Sequence, residues 1–293
     1  MFNKVKKKIL SSNMLFKGKN KKVKIGLALG GGGARGFAHL GAIKAFEEYG
    51  LKFDYIAGTS AGSIVGAFYA LGWDSYDMEK AVLGLDVKDI KKSKFPLFAS
   101  STETLQNTIN RLMGEEKVFS DLKKKFVAVA VNVKTGREVR IESGSVAKAC
   151  AASASVPAVF KPVDWGDKTL IDGGVLNVVP ADIPRELGCD YVIAVDVNKT
   201  RGEGTEVIKT LNILSSSLGI LMKTNVLASL EQADVVIKPN LKEFSSSKLD
   251  GAGEMIIEGE RATMAMKEEI IKTLKKKSLK KERKWPIKDL EYI

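Results

Sequence analysis

The sequence contains only one histidine, His39, and only two cysteines, Cys150 and Cys189. Ser-His-Asp hydrolases of the α/β-hydrolase type carry their histidine late in the chain, after the acid. Because His39 lies early, within an apolar helical stretch, the sequence disfavours a catalytic role for it. Two cysteines far apart in the chain provide neither a disulfide framework nor a metal-ligand spacing. We therefore expect two partly buried free thiols and no metal site.

Long hydrophobic runs are also missing from the 293 residues. No apolar segment approaches the ~20 residues that a helix needs to cross a bilayer. The N-terminus lacks both the apolar core and the small-residue cleavage site of a secretory signal. These absences predict a cytoplasmic protein.

Acidic residues are absent from the first 24 positions, which carry nine lysines. Residues 275–284 are also strongly basic, so the net charge of +12 resides in the two ends and the body between them is mildly acidic. Basic ends suit anionic lipid or nucleic acid. Apolar residues interleaved among the N-terminal lysines fit an amphipathic helix at the inner, anionic face of a membrane, and equally fit a solubilising tail. We expect no specific nucleic-acid partner, and the oligomeric state stays open.

Strands and helices alternate along the body, with no repeat and no linker rich in Pro, Gly or Ser. The patterns predict strands at 23–29, 54–57, 126–133, 138–141, 168–171, 191–197 and 234–237, and helices at 37–49, 63–71, 74–83, 102–112, 145–153, 205–232 and 253–277. Such alternation is typical of a parallel sheet covered by helices. We predict one α/β domain at 23–272, with a basic N-terminal extension at 1–22 and a basic C-terminal extension at 273–293.

The stretch Gly58-Thr59-Ser60-Ala61-Gly62 joins a predicted strand to a predicted helix. A serine at this place projects from a sharp turn, with the positive end of the helix behind it. A Cβ at either flanking glycine would crowd the turn. Ser60 is therefore a candidate nucleophile, and its hydroxyl needs a base.

Asp172 is the carboxylate that best fits the role of base. It ends a short predicted strand and is followed by Gly173 and Gly174, which leave it unscreened. Binding sites of open α/β sheets gather at such strand ends. A dry pocket would raise the pKa of this carboxyl and make a Ser-Asp dyad workable at neutral pH. The alternative is an ordinary Asp-Gly turn.

A glycine loop provides candidate groups for binding an oxyanion. Gly31, Gly32 and Gly33 follow the first strand and precede a helix, so their N–H groups lie near a positive helix end. The N–H of Ala61 would add another donor. For Arg35, two roles stay open: it counters a phosphate head group, or it braces the loop.

The same loop also matches a nucleotide-binding pattern. Gly31-x-Gly33-x-x-Gly36 fits the dinucleotide fingerprint, with Asp54 near the expected offset. This match would predict a nucleotide-dependent oxidoreductase, but it leaves the serine turn and the Asp172 turn unexplained. A P-loop is excluded, because no Gly-Lys-Ser/Thr is present.

Taken together, the motifs resemble those of the patatin-like phospholipases, and are closest to the bacterial branch related to neuropathy target esterase. The matching segments are Gly31–Gly36, Gly58–Gly62, Ala154–Val163 and Asp172–Gly174, and their order and spacing agree over about residues 23–265. The resemblance implies a three-layer α/β/α fold with a mostly parallel central sheet. It implies Ser60 as nucleophile, Asp172 as its base, the backbone of Gly31–Gly33 as oxyanion hole, and no cofactor. His39 has no catalytic counterpart in the family.

Three functions from different classes stay open. The first is a serine lipid acyl hydrolase, of phospholipase A or lysophospholipase type, that works through an acyl-enzyme on a lipid ester. The second is a catalytically weak, membrane-associated adaptor on the same fold, and the least favoured is the oxidoreductase. The sequence does not predict the head group, the acyl chain, the role of the basic tails, or whether residues 91–98 form a lid.

Overall fold

The computed structural model describes residues 23–83, 102–157, 159–198, 226–246 and 248–283. The basic N-terminal tail, the segment 91–98 and most of the helix predicted at 205–232 lie outside these ranges. Of that helix, the structure describes the end, which is helical over Val226–Leu230.

Eight strands form one sheet in the described part of the chain. They are β1 (Ile25–Leu29), β2 (Tyr55–Thr59), β3 (Lys125–Asn132), β4 (Arg137–Ile141), β5 (Val163–Trp165), β6 (Lys168–Asp172), β7 (Tyr191–Val195) and β8 (Val235–Ile237). The strands β8-β7-β1-β2-β3 are parallel. The pairs β3–β4, β3–β6 and β5–β6 are antiparallel, so the predicted mostly parallel sheet is confirmed.

The α-helices of the described residues are α1 (Ala38–Glu48), α2 (Ala61–Leu71), α3 (Ser75–Leu83), α4 (Thr102–Met113), α5 (Val146–Ser153), α6 (Asp182–Glu186), α7 (Val226–Leu230), α8 (Ala252–Ala265) and α9 (Lys267–Arg283). Short 3₁₀ turns cover Gly33–Phe37, Phe119–Asp121 and Gly173–Val175. None of these helices has the length and hydropathy of a membrane span.

Alternate residues of the strands face opposite sides of the sheet, which gives three layers. On β1, Leu27 and Leu29 pack into the larger core with α1, α2, α5 and α8, whereas Ala28 faces a smaller core with α7. On that second side, residues of β2 and β3 pack against Ile183 of α6. Both cysteines are buried free thiols. The predicted α/β/α architecture follows from strands that are apolar on both faces.

Three features differ from the sequence predictions. Residues 163–165 form a strand that the two preceding prolines obscured. The single helix predicted at 253–277 is two helices that meet at Met266. The Met266 N–H donates to the Thr263 carbonyl, three residues back, instead of to the carbonyl four residues back that would continue an α-helix. The packed region also continues past the boundary predicted at 272: Leu274 is buried, and Lys277 pairs with Asp234.

One feature of the pairing positions the candidate site. β2 runs parallel to the first half of β3 and ends with Thr59 opposite Val129. β6 runs antiparallel to the second half and ends with Asp172 opposite Ala130. Since β4 occupies the other side of β3, β2 and β6 meet end to end. The residue after Thr59 and the last residue of β6 are thereby brought together.

Two glycines allow α1 and α8 to cross in backbone contact. A Cβ on Gly41 would lie 1.8 Å from the Ile256 carbonyl oxygen, and one on Gly259 would lie 1.9 Å from the Ala38 carbonyl oxygen. Because α1 follows the glycine loop, this contact also supports the loop.

We expect Gly41→Ala to lower the free energy of unfolding by about 2–4 kcal/mol, because a backbone clash of this size forces the helices apart. Gly253→Ala is the matched control, since that α8 position faces open space and alanine favours a helix by up to about 1 kcal/mol. Urea unfolding measures both changes. Equal stabilities for the two variants would contradict the close packing.

Candidate active site

Ser60 stands at a strained turn between β2 and α2. Its backbone has φ 52° and ψ −124°, and it is the only non-glycine residue with positive φ in the described ranges. A Cβ on Gly58 would lie 2.5 Å from the Gly62 carbonyl oxygen, and one on Gly62 would lie 2.1 Å from that of Leu29. The flanking glycines are therefore required by close backbone contact. Strain of about 1–3 kcal/mol at a single non-glycine residue marks functional sites.

Ser153, the last residue of α5, connects this turn to β3. Its hydroxyl accepts the Ser60 N–H at 2.9 Å and donates to the Val129 carbonyl at 2.6 Å. Ser153 is completely buried, so both hydrogen bonds are shielded from water. The strained backbone of Ser60 is thus held against the strand whose register positions the site.

Asp172 is a fully buried carboxylate at the end of β6. Its Oδ1 accepts the Gly174 N–H at 2.7 Å, whereas Oδ2 has no hydrogen-bond partner among the described residues. Burial raises the pKa of the Asp172 carboxyl to about 6, and hydrogen bonding from the Gly174 N–H and the Ser60 hydroxyl opposes this rise. The carboxyl is therefore poised to exchange a proton close to neutral pH.

Ser60 and Asp172 are neighbours without a well-formed hydrogen bond between them. The Ser60 hydroxyl is close enough to affect the pKa of Asp172, yet Asp172 Oδ2 accepts no bond of ordinary geometry. Such loose contacts are common in unliganded active sites and tighten when substrate binds. Ser60 is 8% exposed and Asp172 is fully enclosed, so solvent reaches the pair from the serine side.

The glycine loop lies directly beside Ser60. A Cβ on Gly31 would lie 3.1 Å from the Ser60 Cβ. However, the Gly31 N–H donates to the Val178 carbonyl at 2.9 Å, which occupies it. The N–H groups of Gly32, Gly33 and Ala61 have no protein acceptor in the described part of the chain. Of the predicted oxyanion donors, Gly31 therefore does not fit, and Gly32 and Gly33 remain.

Arg35 braces the loop rather than presenting its charge to solvent. It is buried, and its Nε donates to the Phe244 carbonyl at 2.9 Å. The Ala34 N–H donates to the Ser246 carbonyl at 2.8 Å. The segment 244–246 thus fixes the far side of the loop, a role that no sequence motif indicated.

His39 also supports the loop from beneath. Its Nε2 is 2.7 Å from the Gly30 carbonyl oxygen, and its ring is completely buried. Burial lowers the pKa of His39 to about 4, opposed by the Gly30 hydrogen bond and the charge of Asp196. The ring is therefore neutral at pH 7 and donates to Gly30 through Nε2.

Asp54 does not fit the dinucleotide alternative. Its Oδ2 accepts the Ile25 N–H at 3.0 Å, at the edge of the sheet where β1 and β2 begin. The glycine loop lies where β1 ends. A ribose-binding acid belongs at the same edge as the loop. Asp54 therefore does not support the oxidoreductase hypothesis, which is left with the glycine pattern alone.

Comparison with known proteins identifies the family. A sequence profile described as patatin-like phospholipase matches residues 27–185, just over half of the 293-residue chain. The chain belongs to the patatin-like phospholipase family. The match contains the glycine loop, the Ser60 turn and the Asp172 turn.

Several relatives are about one-third identical. An uncharacterised NTE family protein of Mycobacterium tuberculosis is 34% identical over 183 residues, 60% of this chain and 30% of the relative. Lysophospholipase nte1 of Aspergillus fumigatus is 35% identical over 181 residues, 59% of this chain and 12% of the relative. The predicted likeness to the branch related to neuropathy target esterase is confirmed. This chain spans less than a third of the length of these relatives.

Among solved structures, VipD from Legionella pneumophila has the same fold. Its TM-score is 0.59 at 16% identity, covering 84% of this chain and 67% of that chain. At this identity the likeness concerns the fold alone.

We expect Ser153→Ala to slow covalent labelling of Ser60 by a fluorophosphonate about 10-fold or more, because the Ser60 N–H loses its acceptor and the turn relaxes. Ser155→Ala is the matched control: among the described residues its buried hydroxyl donates to the Ala151 carbonyl alone, at 2.7 Å, within the same segment. Both variants should unfold about 1–3 kcal/mol more easily. Similar labelling rates in the two would show that Ser153 has a merely structural role.

We expect Asp172→Asn to stabilise the fold at alkaline pH. The folded pKa of about 6 exceeds the unfolded value of ~3.9, so ionisation of the wild-type carboxyl opposes folding as the pH rises from about 4 to 6. The variant should therefore gain up to about 3 kcal/mol above pH 7 and almost nothing below pH 4.

Urea unfolding at pH 4 and pH 8 measures this gain. Asp164→Asn, on the exposed side of β5, should change stability by less than about 0.5 kcal/mol at both values. A gain for Asp172→Asn that does not depend on pH would refute the buried-charge explanation.

Proposed function

We propose that this protein is a serine lipid acyl hydrolase that uses a Ser60-Asp172 dyad. The observation that carries the proposal is the meeting of β2 and β6 on β3. A strained serine there lies beside a buried carboxylate, one oxygen of which has no partner among the described residues. The family membership and the lysophospholipase relative support a lipid ester as substrate.

In the first step, the Ser60 hydroxyl attacks the ester carbonyl while Asp172 accepts its proton. The accepting atom is Oδ2, because Oδ1 is bound to the Gly174 N–H. The carboxyl pKa of about 6 keeps Asp172 ionised at neutral pH, yet basic enough to take the proton. The protonated carboxyl then gives its proton to the leaving alcohol, and an acyl-Ser60 enzyme remains.

The tetrahedral intermediate needs donors aimed at its oxyanion. The N–H groups of Gly32 and Gly33, which have no protein acceptor among the described residues, are the proposed donors. The Ala61 N–H at the start of α2 adds the positive end of a helix. In the second step, a water activated by Asp172 attacks the acyl group and releases the fatty acid. No step calls for histidine, in agreement with the position of His39.

A second candidate is the catalytically weak adaptor, since fold membership does not guarantee activity. Both catalytic side chains are present, which favours the enzyme. The domain proposal is that the catalytic unit begins at 23 and continues through 277, with basic extensions at either side. Those extensions, at the cytoplasmic face of an anionic membrane, would strengthen membrane association by about 1 kcal/mol for each lysine near the surface. The local lipid concentration would rise as a result.

We expect Ser60→Ala and Asp172→Asn each to lower kcat/KM for lipid and short-chain aryl esters by at least ~10³-fold, because each removes one half of the dyad. A panel of phospholipids and lysophospholipids measures the activity and the head-group preference. Ser155→Ala should retain activity within about 3-fold.

Labelling with a fluorophosphonate separates the two candidates. Wild-type protein should be labelled at Ser60. Folded wild-type protein that is neither labelled nor active on any ester would favour the adaptor, and full activity of Ser60→Ala would reject the nucleophile.

A further inference from the structure

The short segment that follows β6 contacts all three parts of the candidate active site. The Asn177 N–H donates to the Gly173 carbonyl at 2.9 Å, one residue after the proposed base. The Asn177 carbonyl accepts the Thr59 hydroxyl at 2.8 Å, one residue before the proposed nucleophile. The next carbonyl, that of Val178, accepts the Gly31 N–H at 2.9 Å. Two consecutive residues therefore join the turns of the base and the nucleophile to the glycine loop.

The side chain of Asn177 anchors this segment on the side of the sheet that α6 covers. Asn177 is only 7% exposed. Its Nδ2 donates to Glu138 Oε2 on β4 at 3.0 Å and to Asp182 Oδ1 on α6 at 2.8 Å. Because both partners are carboxylates, only the amide nitrogen can face them, and both of its hydrogens are used. Hydrogen bonds to ionised acceptors are stronger than those between neutral groups, so the anchor is firm.

Arg140 on β4 keeps these two carboxylates in place. Its Nε donates to Glu138 Oε1 at 2.9 Å, and its Nη2 donates to Asp182 Oδ2 at 3.3 Å. Its Nη1 donates to Glu186 Oε2 at 2.5 Å, one turn further along α6. The planar guanidinium thus ties β4 to α6. Glu138 and Asp182 each use one oxygen for Arg140 and the other for Asn177.

The two sides of the sheet hold the serine turn in different ways. On the α5 side, Ser153 accepts the N–H of Ser60 itself. On the α6 side, the fully buried Thr59 hydroxyl is bound to the Asn177 carbonyl. Ser153 connects the serine turn to β3, whereas Asn177 connects it to the turn that carries Asp172. The spacing of the two turns therefore depends on where Asn177 is held.

We propose that Asn177 is a positioning residue for the Ser60-Asp172 dyad and the glycine loop. Its backbone bonds the turns of nucleophile and base, the adjoining Val178 carbonyl bonds the glycine loop, and its amide anchors them to the two carboxylates of β4 and α6. The role rests on the proposed hydrolase function, and Asn177 acts through the groups that it holds. In such an arrangement, a displacement of about 1 Å costs about 100-fold in rate.

The test measures hydrolysis of a short-chain aryl ester and fluorophosphonate labelling of Ser60 in the full chain. Asn177→Ala frees the segment from its anchor and displaces the reacting groups, but leaves the other contacts of the ester in place. We therefore expect kcat and the labelling rate to fall about 10- to 100-fold, with KM changed by less than about 3-fold.

Asn132→Ala is the matched control. Asn132 is also 7% exposed, and its Oδ1 accepts the Lys134 N–H at 3.1 Å within the β3–β4 turn. This variant should lose stability to a similar extent and keep its activity within about 3-fold. Thermal unfolding of every variant verifies that it is folded at the assay temperature.

Thr59 provides a second test that leaves the Asn177 side chain intact. Thr59→Val keeps the shape of the side chain but removes the hydroxyl, and should slow labelling about 10-fold. Thr59→Ser keeps the hydroxyl and should label within about 3-fold of the wild-type rate. The double variant Asn177→Ala/Thr59→Val should lose much less than the product of the two single losses, because both break the same connection.

Wild-type protein that is neither labelled nor active would reject the hydrolase, and this role with it. Active wild-type protein whose Asn177→Ala variant keeps the wild-type kcat and labelling rate would overturn the role alone. An equal loss in Asn132→Ala would reduce the effect to general instability and would also overturn it. If Asn177→Ala does not fold, the Thr59 pair decides: equal labelling rates for Thr59→Val and Thr59→Ser would overturn the role.

Discussion

The geometry of the candidate active site depends on the way one strand is shared. β3 pairs with β2 along its first half and with β6 along its second half, and the two partners approach from opposite directions. Because strand registers are specified by the burial of both faces, the ends of β2 and β6 cannot drift apart. Ser60 and Asp172 therefore meet although 111 positions separate them in the sequence.

This meeting point concentrates features that oppose folding. Ser60 has a backbone conformation that a non-glycine residue rarely adopts, and Asp172 is a fully buried carboxyl. The surrounding structure stabilises both through particular contacts: Ser153 holds the serine turn, Gly174 binds one carboxylate oxygen, and His39 and Arg35 support the glycine loop from two sides. A strained backbone and a buried charge persist where many surrounding contacts together enforce them.

Much of the site could be predicted because its signals are local. The glycines around Ser60 and after Asp172 occur within five residues of each functional group, and a tight turn has few sequence solutions. The predicted strands and the α/β class were also readable from short-range patterns. The family resemblance suggested the roles that we propose for the residues, which the patterns alone left open.

What the sequence could not show depends on contacts between distant segments. Ser153 looks like any serine at the end of a small-residue helix until it is seen between Ser60 and Val129. Phe244 and Ser246 carry no motif, and they act through backbone carbonyls, which any residue would provide. The hydrogen bond that occupies the Gly31 N–H is also a contact between distant segments. Its acceptor, the Val178 carbonyl, lies in a loop almost 150 residues away.

Lys24, near the start of the packed domain, and Lys277, near its end, also lie close together. The Lys24 N–H and the Lys277 ammonium both bind Asp190, one at its carboxylate and the other at its carbonyl. Lys24 and Lys277 thus both lie at the edge where β1 and β7 begin, away from Ser60. A unit whose ends meet on one side can be joined to, or inserted into, a longer polypeptide without disturbing the opposite side. The relatives, in which the matching region is a minor part of much longer chains, are compatible with such modular use.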